Sequence, residues 1–262
     1  MLSVTSAQWS AWLAAFIFPL ARILAVVAST PILGNREVPL QARIGLALLL
    51  TILVSPTLQI GAGLDPGSAQ GLLVLVEQIL IGTVMGFSIR VIFAAAEMAG
   101  EVTGLQMGLG FASFYDPQNA SFQPVLSQFL GALMSLLFLS MNGHLYVLSA
   151  LADSFHNLPV SAVPPPALGL HTLVSWAGSL FLDALQIALP LLAVLMMANI
   201  ALGILTRSSP QLNLFAVGFP ITLAAGFVAL TLSLPYLNPL AERFIKAGLG
   251  ALLHVLGQFS SH

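Results

Sequence analysis

Between Asp116 and Asp153 the chain carries no Asp, Glu, Lys or Arg, and the same is true from Asp153 to Asp183, Asp183 to Arg207, Arg207 to Glu242 and Arg43 to Asp65. Runs of this length decide the solvent. A bilayer core of about 30 Å is crossed by about 20 helical residues, and each of these runs holds a segment of roughly that size. Only 6% of the residues are charged, against roughly 25% in a soluble domain, so charge cannot wet the surface of a 262-residue globule.

Backbone polar groups inside lipid must be satisfied within the chain, which leaves helices or a closed barrel. A barrel would alternate apolar and polar residues with a period of two. Leu136-Leu137-Phe138-Leu139 and Leu189–Met197 are instead apolar on every face. The expected fold is all-α and membrane-associated, with about six long, broken hydrophobic helices arranged as hairpins. The segments expected are 10–33, 43–60, 71–96, 124–151, 168–206 (broken) and 212–235, with a short helix at 239–257, all in a single helical domain over 1–262. The first segment reads as a retained helix, because no Lys or Arg precedes Arg22 as a leader would require. Turns fall at Gly61–Gly67, at Tyr115-Asp116-Pro117-Gln118-Asn119 and at Val163-Pro164-Pro165-Pro166.

Some features are foreign to a bundle bathed in lipid. Arg22, Glu77, Arg90, Glu97, Glu101 and Asp183 lie in or beside apolar segments. Each charge at mid-bilayer costs at least about 2.5 kcal/mol, so these faces must look at protein or water. Gly82 and Gly86, then Gly100, Gly104 and Gly108, recur four apart and permit close helix approach. The basic clusters Arg36/Arg43, Arg207 and Arg243/Lys246 fall on opposite sides if six segments span, against the positive-inside rule. The chain therefore reads as a subunit whose helices are wrapped by other helices.

The composition excludes several functions. There are no cysteines and the net charge is −2, which removes thiol chemistry, Cys-ligated metals and a polycationic nucleic-acid surface. No phosphate-binding loop, nucleophile elbow, H-E-x-x-H metal site or cofactor fingerprint is present, so neither a catalytic residue nor a cofactor or metal is expected. The acids Glu77, Glu97, Glu101 and Asp183 offer a proton relay if aligned, with pairing to Arg22 or Arg90 as the alternative.

The most informative stretch is Glu97–Phe122, where Gly104, Gly108 and Gly110 precede Phe111, Phe114, Tyr115 and Phe122, with Met107 among them. It is too apolar for a solvated loop and too rich in glycine for a stable span. It reads either as a re-entrant loop over about 104–122 that closes a pore, or as an interfacial loop anchored by aromatics. A second polar island, Gly203–Asn213, holds Arg207, Pro210 and Asn213 and reads as a capped turn or a subunit contact.

At these residues the chain resembles the FliR family, the flagellar branch of the export-gate proteins of type III secretion. The blocks are Pro31–Gly45, Gln106-Met107-Gly108 with Asp116-Pro117, Met141–His144 with Ser154-Phe155 and Pro159, and Leu205–Pro220. Their order and spacing cover the chain from Pro31 to Pro235. The resemblance implies a non-enzymatic subunit in the bacterial inner membrane at the flagellar basal body. Its implied partners are FliP, FliQ and FlhB, unfolded flagellar export substrates, and membrane lipids at the periphery. It further implies that the loop plugs the closed pore through Met107, Phe111, Phe114, Tyr115 and Phe122, hinged at Gly104, Gly108 and Gly110. Arg207, Pro210 and Asn213 would lie at a subunit contact. A small-molecule secondary transporter and a purely structural membrane scaffold are the competing readings.

Overall fold

The computed structural model describes residues 6–35, 37–58, 64–110, 124–160, 167–209 and 214–260. Among these residues there are eight α-helices and no strand. They are α1 (Ser6–Ser29), α2 (Leu40–Val54), α3 (Ala69–Gln106), α4 (Val125–Ser140), α5 (Gly143–Asn157), α6 (Ala167–Ala177), α7 (Ser179–Ser208) and α8 (Leu214–Ser260). Five stretches are long and apolar enough to cross a membrane, or six if α4 and α5 count as one broken span. The all-helical, membrane-associated architecture is thus present.

Three boundaries differ from those the sequence suggests. The third helix runs ten residues past 96, to Gln106, because its glycines sit on a packed face rather than in a loop. The fourth breaks at Asn142, which takes a left-handed φ of 57° that Asn tolerates better than most residues. The last is one helix of 47 residues that contains Pro220, Pro235 and Pro239. A proline removes a donor and frees the carbonyl four residues back, which for Pro235 and Pro239 is that of Thr231 and of Pro235. The nearby Thr231 and Ser233 hydroxyls turn instead to the carbonyls of Phe227 at 2.8 Å and Leu230 at 2.9 Å.

The chain forms two compact units that interleave along the sequence. The first comprises Met1–Val91, Asn142–Ala177 and Ala247–His262. Its core cluster is Ala14, Phe18, Val74 and Val160, with Leu64 and Leu75 against it. Here α1 and α3 meet at glycines: a Cβ on Gly82 would collide with the Arg22 carbonyl, and one on Gly86 with the Ser29 side chain. Ser55 Oγ donates to the Ala15 carbonyl at 2.8 Å, and Trp176 Nε1 to Ser88 at 3.0 Å, so α2 and α6 are tied to α1 and α3.

Arg22 is the polar centre of this unit and has no exposed surface. Its Nε donates to Gln78 Oε1 at 2.8 Å. Its Nη1 donates to the Ser154 carbonyl at 2.9 Å and Ser154 Oγ at 3.1 Å, and its Nη2 to the Leu158 carbonyl at 2.8 Å. The guanidinium also lies 4.3 Å from the Phe155 ring centroid. These partners are neutral, so the cation is held by carbonyl dipoles and by the negative end of α5 rather than by a carboxylate.

The second unit comprises Ile92–Met141 and Gly178–Lys246. It joins the last turns of α3 to α4, α7 and most of α8. Phe93 and Phe138 meet edge to face with centroids 5.5 Å apart.

Replacing Arg22 by Ala removes every donor from this buried set and is expected to destabilise the protein by about 3 kcal/mol. Arg22→Lys should recover only part of that, because an ammonium cannot reproduce the planar fork. Thermal melting of the solubilised protein measures both, and a lysine variant as stable as the parent would contradict this account.

Candidate functional site

The segment singled out by its glycines and aromatics is bracketed by α3 and α4, both within the second unit. Phe111, Phe114, Tyr115 and Phe122 lie outside the described residues, as do Pro210 and Asn213. What the structure defines is how the two ends of the segment are held.

The leading end begins inside α3. Gly104 is a buried helical residue where an added Cβ would meet Leu126 Cβ and Leu109 Cδ1 at ordinary contact distance, 3.7 and 3.9 Å. The helix then closes with Met107 N–H donating to Thr103 at 2.9 Å and Gly108 N–H to Leu105 at 3.0 Å. Gly108 takes φ 83°, the left-handed conformation with which helices commonly end and which glycine adopts without strain. Gly110 lies so close to the end of the Leu105 side chain that a Cβ there would meet Leu105 Cδ2 at 2.8 Å.

Met107 has no exposed surface. Its side chain lies over α8 at Gly226, where a Cβ would fall 2.5 to 2.7 Å from Met107 Cγ, Cε and Sδ. The Thr222 hydroxyl, one turn earlier on α8, donates to the Met107 carbonyl at 3.4 Å. No local pattern marks Gly226 or Thr222 as partners of Met107, since more than a hundred residues separate them.

The trailing end is held differently. Pro124 caps α4, and the first turn of that helix lies backbone to backbone against α3. A Cβ on Gly100 would stand 2.6 Å from both the Leu126 carbonyl oxygen and Ser127 Cα. Ser127 Oγ donates to the Glu97 carbonyl at 2.6 Å, and the Glu97 side chain passes over Gly131 at 3.2 Å from where its Cβ would be.

The remaining charges do not converge on one centre. Arg22 is buried, Glu77 and Asp183 are half-buried, and Arg90, Glu97, Glu101 and Arg207 are exposed. Asp183 accepts from Ser179 Oγ at 3.3 Å on its own helix. Arg243 donates to Gln186 Oε1, and Lys246 pairs with Glu242 at 2.5 Å. Among the described residues no group of three or more His, Asp or Glu side chains is placed to hold a metal ion. A cleft of about 440 Å³ is lined by Pro190, Val194, Ala229, Leu232, Ser233 and Tyr236. That lining supplies two hydroxyls and no charge, too few converging polar groups to orient a small polar substrate.

With this geometry in view, residues 13–248 match the family of bacterial export proteins, family 1. The chain belongs to that family. It is 40% identical over 258 residues to the flagellar biosynthetic protein FliR of Escherichia coli (strain K12), covering 98% of each chain. It is 41% identical over 261 residues to FliR of Pectobacterium carotovorum subsp. carotovorum, covering both chains in full. FliR of Bacillus subtilis (strain 168) is 32% identical over 219 residues, which cover 82% of this chain and 84% of that one. Membership of the FliR family, read above from four blocks, therefore holds over the whole length. These relatives are named for export and flagellar biosynthesis rather than for a catalytic activity.

The glycine contacts differ in what they tolerate. Gly100→Ala drives a methyl into backbone that cannot move aside and should cost about 1–3 kcal/mol. Gly203→Ala, where nothing lies within 4 Å, should be neutral or stabilising by up to about 1 kcal/mol through helix propensity. Protease resistance of the two membrane-inserted variants separates them, and equal behaviour would show that the Gly100 contact is not tight.

Proposed function

We propose that the chain is a subunit of the flagellar protein-export gate in the bacterial inner membrane, where it lines part of the path taken by unfolded flagellar proteins. It would assemble there with FliP and FliQ, and with FlhB, in the basal body. The segment at 104–122 closes that path when the gate is idle. The observation that carries this reading is the pinning of both ends of one apolar, aromatic-bearing segment to the same helical unit, in a chain similar over its full length to flagellar biosynthetic proteins.

The mechanism is steric. Phe111, Phe114, Tyr115 and Phe122 supply bulk that excludes ions and water. Apolar groups grip no particular sequence, which suits a path that must pass many different chains, whereas fixed charges would retain some cargo and reject other cargo. Large apolar side chains exposed on the helices, among them Trp12, Leu53, Leu73, Val174, Phe181, Met197 and Leu232, offer surface for neighbouring subunits and lipid. Arg207, exposed at the end of α7, together with Pro210 and Asn213, is assigned to one such contact.

Deleting Gly110–Tyr115 should leave the subunit able to assemble with its neighbours and should raise ion leakage through the assembled gate. A gate that stays tight after the deletion would overturn the plug. Replacing the same residues by small ones separates the gate from a mere scaffold, because a scaffold would lose assembly without gaining a leak.

A further inference from the structure

Two cavities adjoin between α7 and α8 in the second unit, and together they grade from apolar to polar. One of about 440 Å³ is lined by Val194 on α7 and by Ala229 and Leu232 on α8. Its neighbour of about 360 Å³ adds Gln186 and Arg243. Pro190, Ser233 and Tyr236 line both, so the two volumes form one cleft. On α7 its wall is a single face, because Gln186, Pro190 and Val194 recur at i, i+4 and i+8. Each volume falls in the range of about 300–1,000 Å³ typical of ligand sites.

The polar end is marked on both helices at one level. Arg243 donates to Gln186 Oε1, which joins α8 to α7 there. Its guanidinium lies 5.3 Å from the Phe244 ring centroid. It is exposed, and most of its N–H donors are uncommitted among the described residues. Asp183, one turn before Gln186, is half-buried and within electrostatic reach of Arg243. Its carboxylate accepts from Ser179 Oγ at a long 3.3 Å. Lys246, the other cation nearby, is already paired with Glu242. Away from this end α7 carries no Asp, Glu, Lys or Arg until Arg207, and α8 carries none back to its start. The mouth of the cleft therefore offers one cation and one carboxylate, balanced in charge.

Length and charge together select the occupant. Arg243 stands fourteen residues beyond Ala229 on α8, about 21 Å at about 1.5 Å per residue. One leaflet, half of the roughly 40–45 Å of a bilayer with its headgroups, measures about 20–22 Å. A neighbouring apolar helix brings no counterpart for Arg243 and Asp183. A phospholipid has a charged end and an apolar remainder of the required length. A purely anionic headgroup would be repelled by Asp183, whereas an ethanolamine headgroup brings a phosphate for Arg243 and an ammonium for Asp183.

We propose that the cleft between α7 and α8 is a binding site for one phosphatidylethanolamine molecule, with its phosphate on Arg243, its ammonium at Asp183 and one acyl chain laid past Pro190 toward Val194 and Ala229. Such a lipid covers Leu232 and Tyr236, which are exposed on the subunit. The site goes beyond the export role proposed above and does not depend on it.

The test uses the full-length chain, purified in a mild detergent together with whatever subunits co-extract. It is exchanged into mixed micelles holding equal amounts of phosphatidylethanolamine, phosphatidylglycerol and phosphatidylcholine with identical acyl chains. Native mass spectrometry counts the lipid that stays bound. The parent should retain phosphatidylethanolamine at least about threefold above the other two. Arg243→Gln should lower retention of phosphatidylethanolamine at least about tenfold, because a charge-assisted contact to phosphate is removed. Asp183→Asn should bring phosphatidylethanolamine down to the level of phosphatidylglycerol. Val194→Phe fills the apolar end and should release the lipid although both charges remain. If Val194→Phe is not recovered, Leu232→Trp carries the same test.

Equal retention by the parent, Arg243→Gln and the variant of the apolar end would mean lipid held only in the general belt around the helices, and would overturn the site. A preference for phosphatidylglycerol, or unchanged selectivity in Asp183→Asn, would overturn the assignment of the headgroup. A parent that binds no lipid, beside a Leu232→Trp variant that loses a co-extracted subunit, would show that protein fills the cleft and would overturn the proposal as well.

Discussion

Only 6% of the residues in this chain carry charge, and the scarcity of strong polar groups runs through the structure. Hydroxyls inside the helices turn back on their own backbone: Thr30 to Val26, Thr51 to Ala47, Ser88 to Val84 and Thr103 to Ala99, at 2.6 to 2.8 Å. Arg22, among the described residues the one cation taken fully inside, spends its donors on a glutamine, a serine and two helix-terminal carbonyls. A carboxylate partner would have brought a second ion into the same apolar interior and a second desolvation cost. Neutral acceptors avoid that, and they tie α1, α3 and α5 together through one side chain.

Where polar contacts are scarce, cohesion depends on how closely backbones approach. The glycines of α3 do this at two places along one 38-residue helix. Gly82 and Gly86 admit α1, and Gly100 admits α4. The helix is thus continuous but serves a different neighbour in each unit. The segment that follows it leaves from a site fixed on three sides, by α3 itself, by α4 and by α8.

Much of this could be read from the amino acids alone, and the limits were physical. Uncharged runs report the solvent directly, so the existence of the long helices was plain. Their ends were not. Pro235 and Pro239 look like stops, since in water each would break the helix, yet α8 runs through both. Asn142 inside Met141–His144 gave little sign that it would turn the chain, because the flanking residues suit a helix well. The pairing of Met107 with Gly226 had no local signature at all. A missing Cβ is informative only once its neighbour is known. The neutral surroundings of Arg22 were hidden for a related reason: sequence shows the charges but not the free carbonyls at the end of α5 that receive its donors.

The last helix carries a further implication. At about 1.5 Å per residue, 47 residues trace a contour of about 70 Å, more than twice the hydrocarbon thickness of a bilayer. Its greasy side chains do not thin out toward either extremity: Phe219 and Ile221 lie near one and Leu253 near the other, all exposed on the subunit. One crossing uses less than half of that contour, so the remainder must lie outside a single passage through the acyl chains, and its exposed apolar side chains need some other cover there.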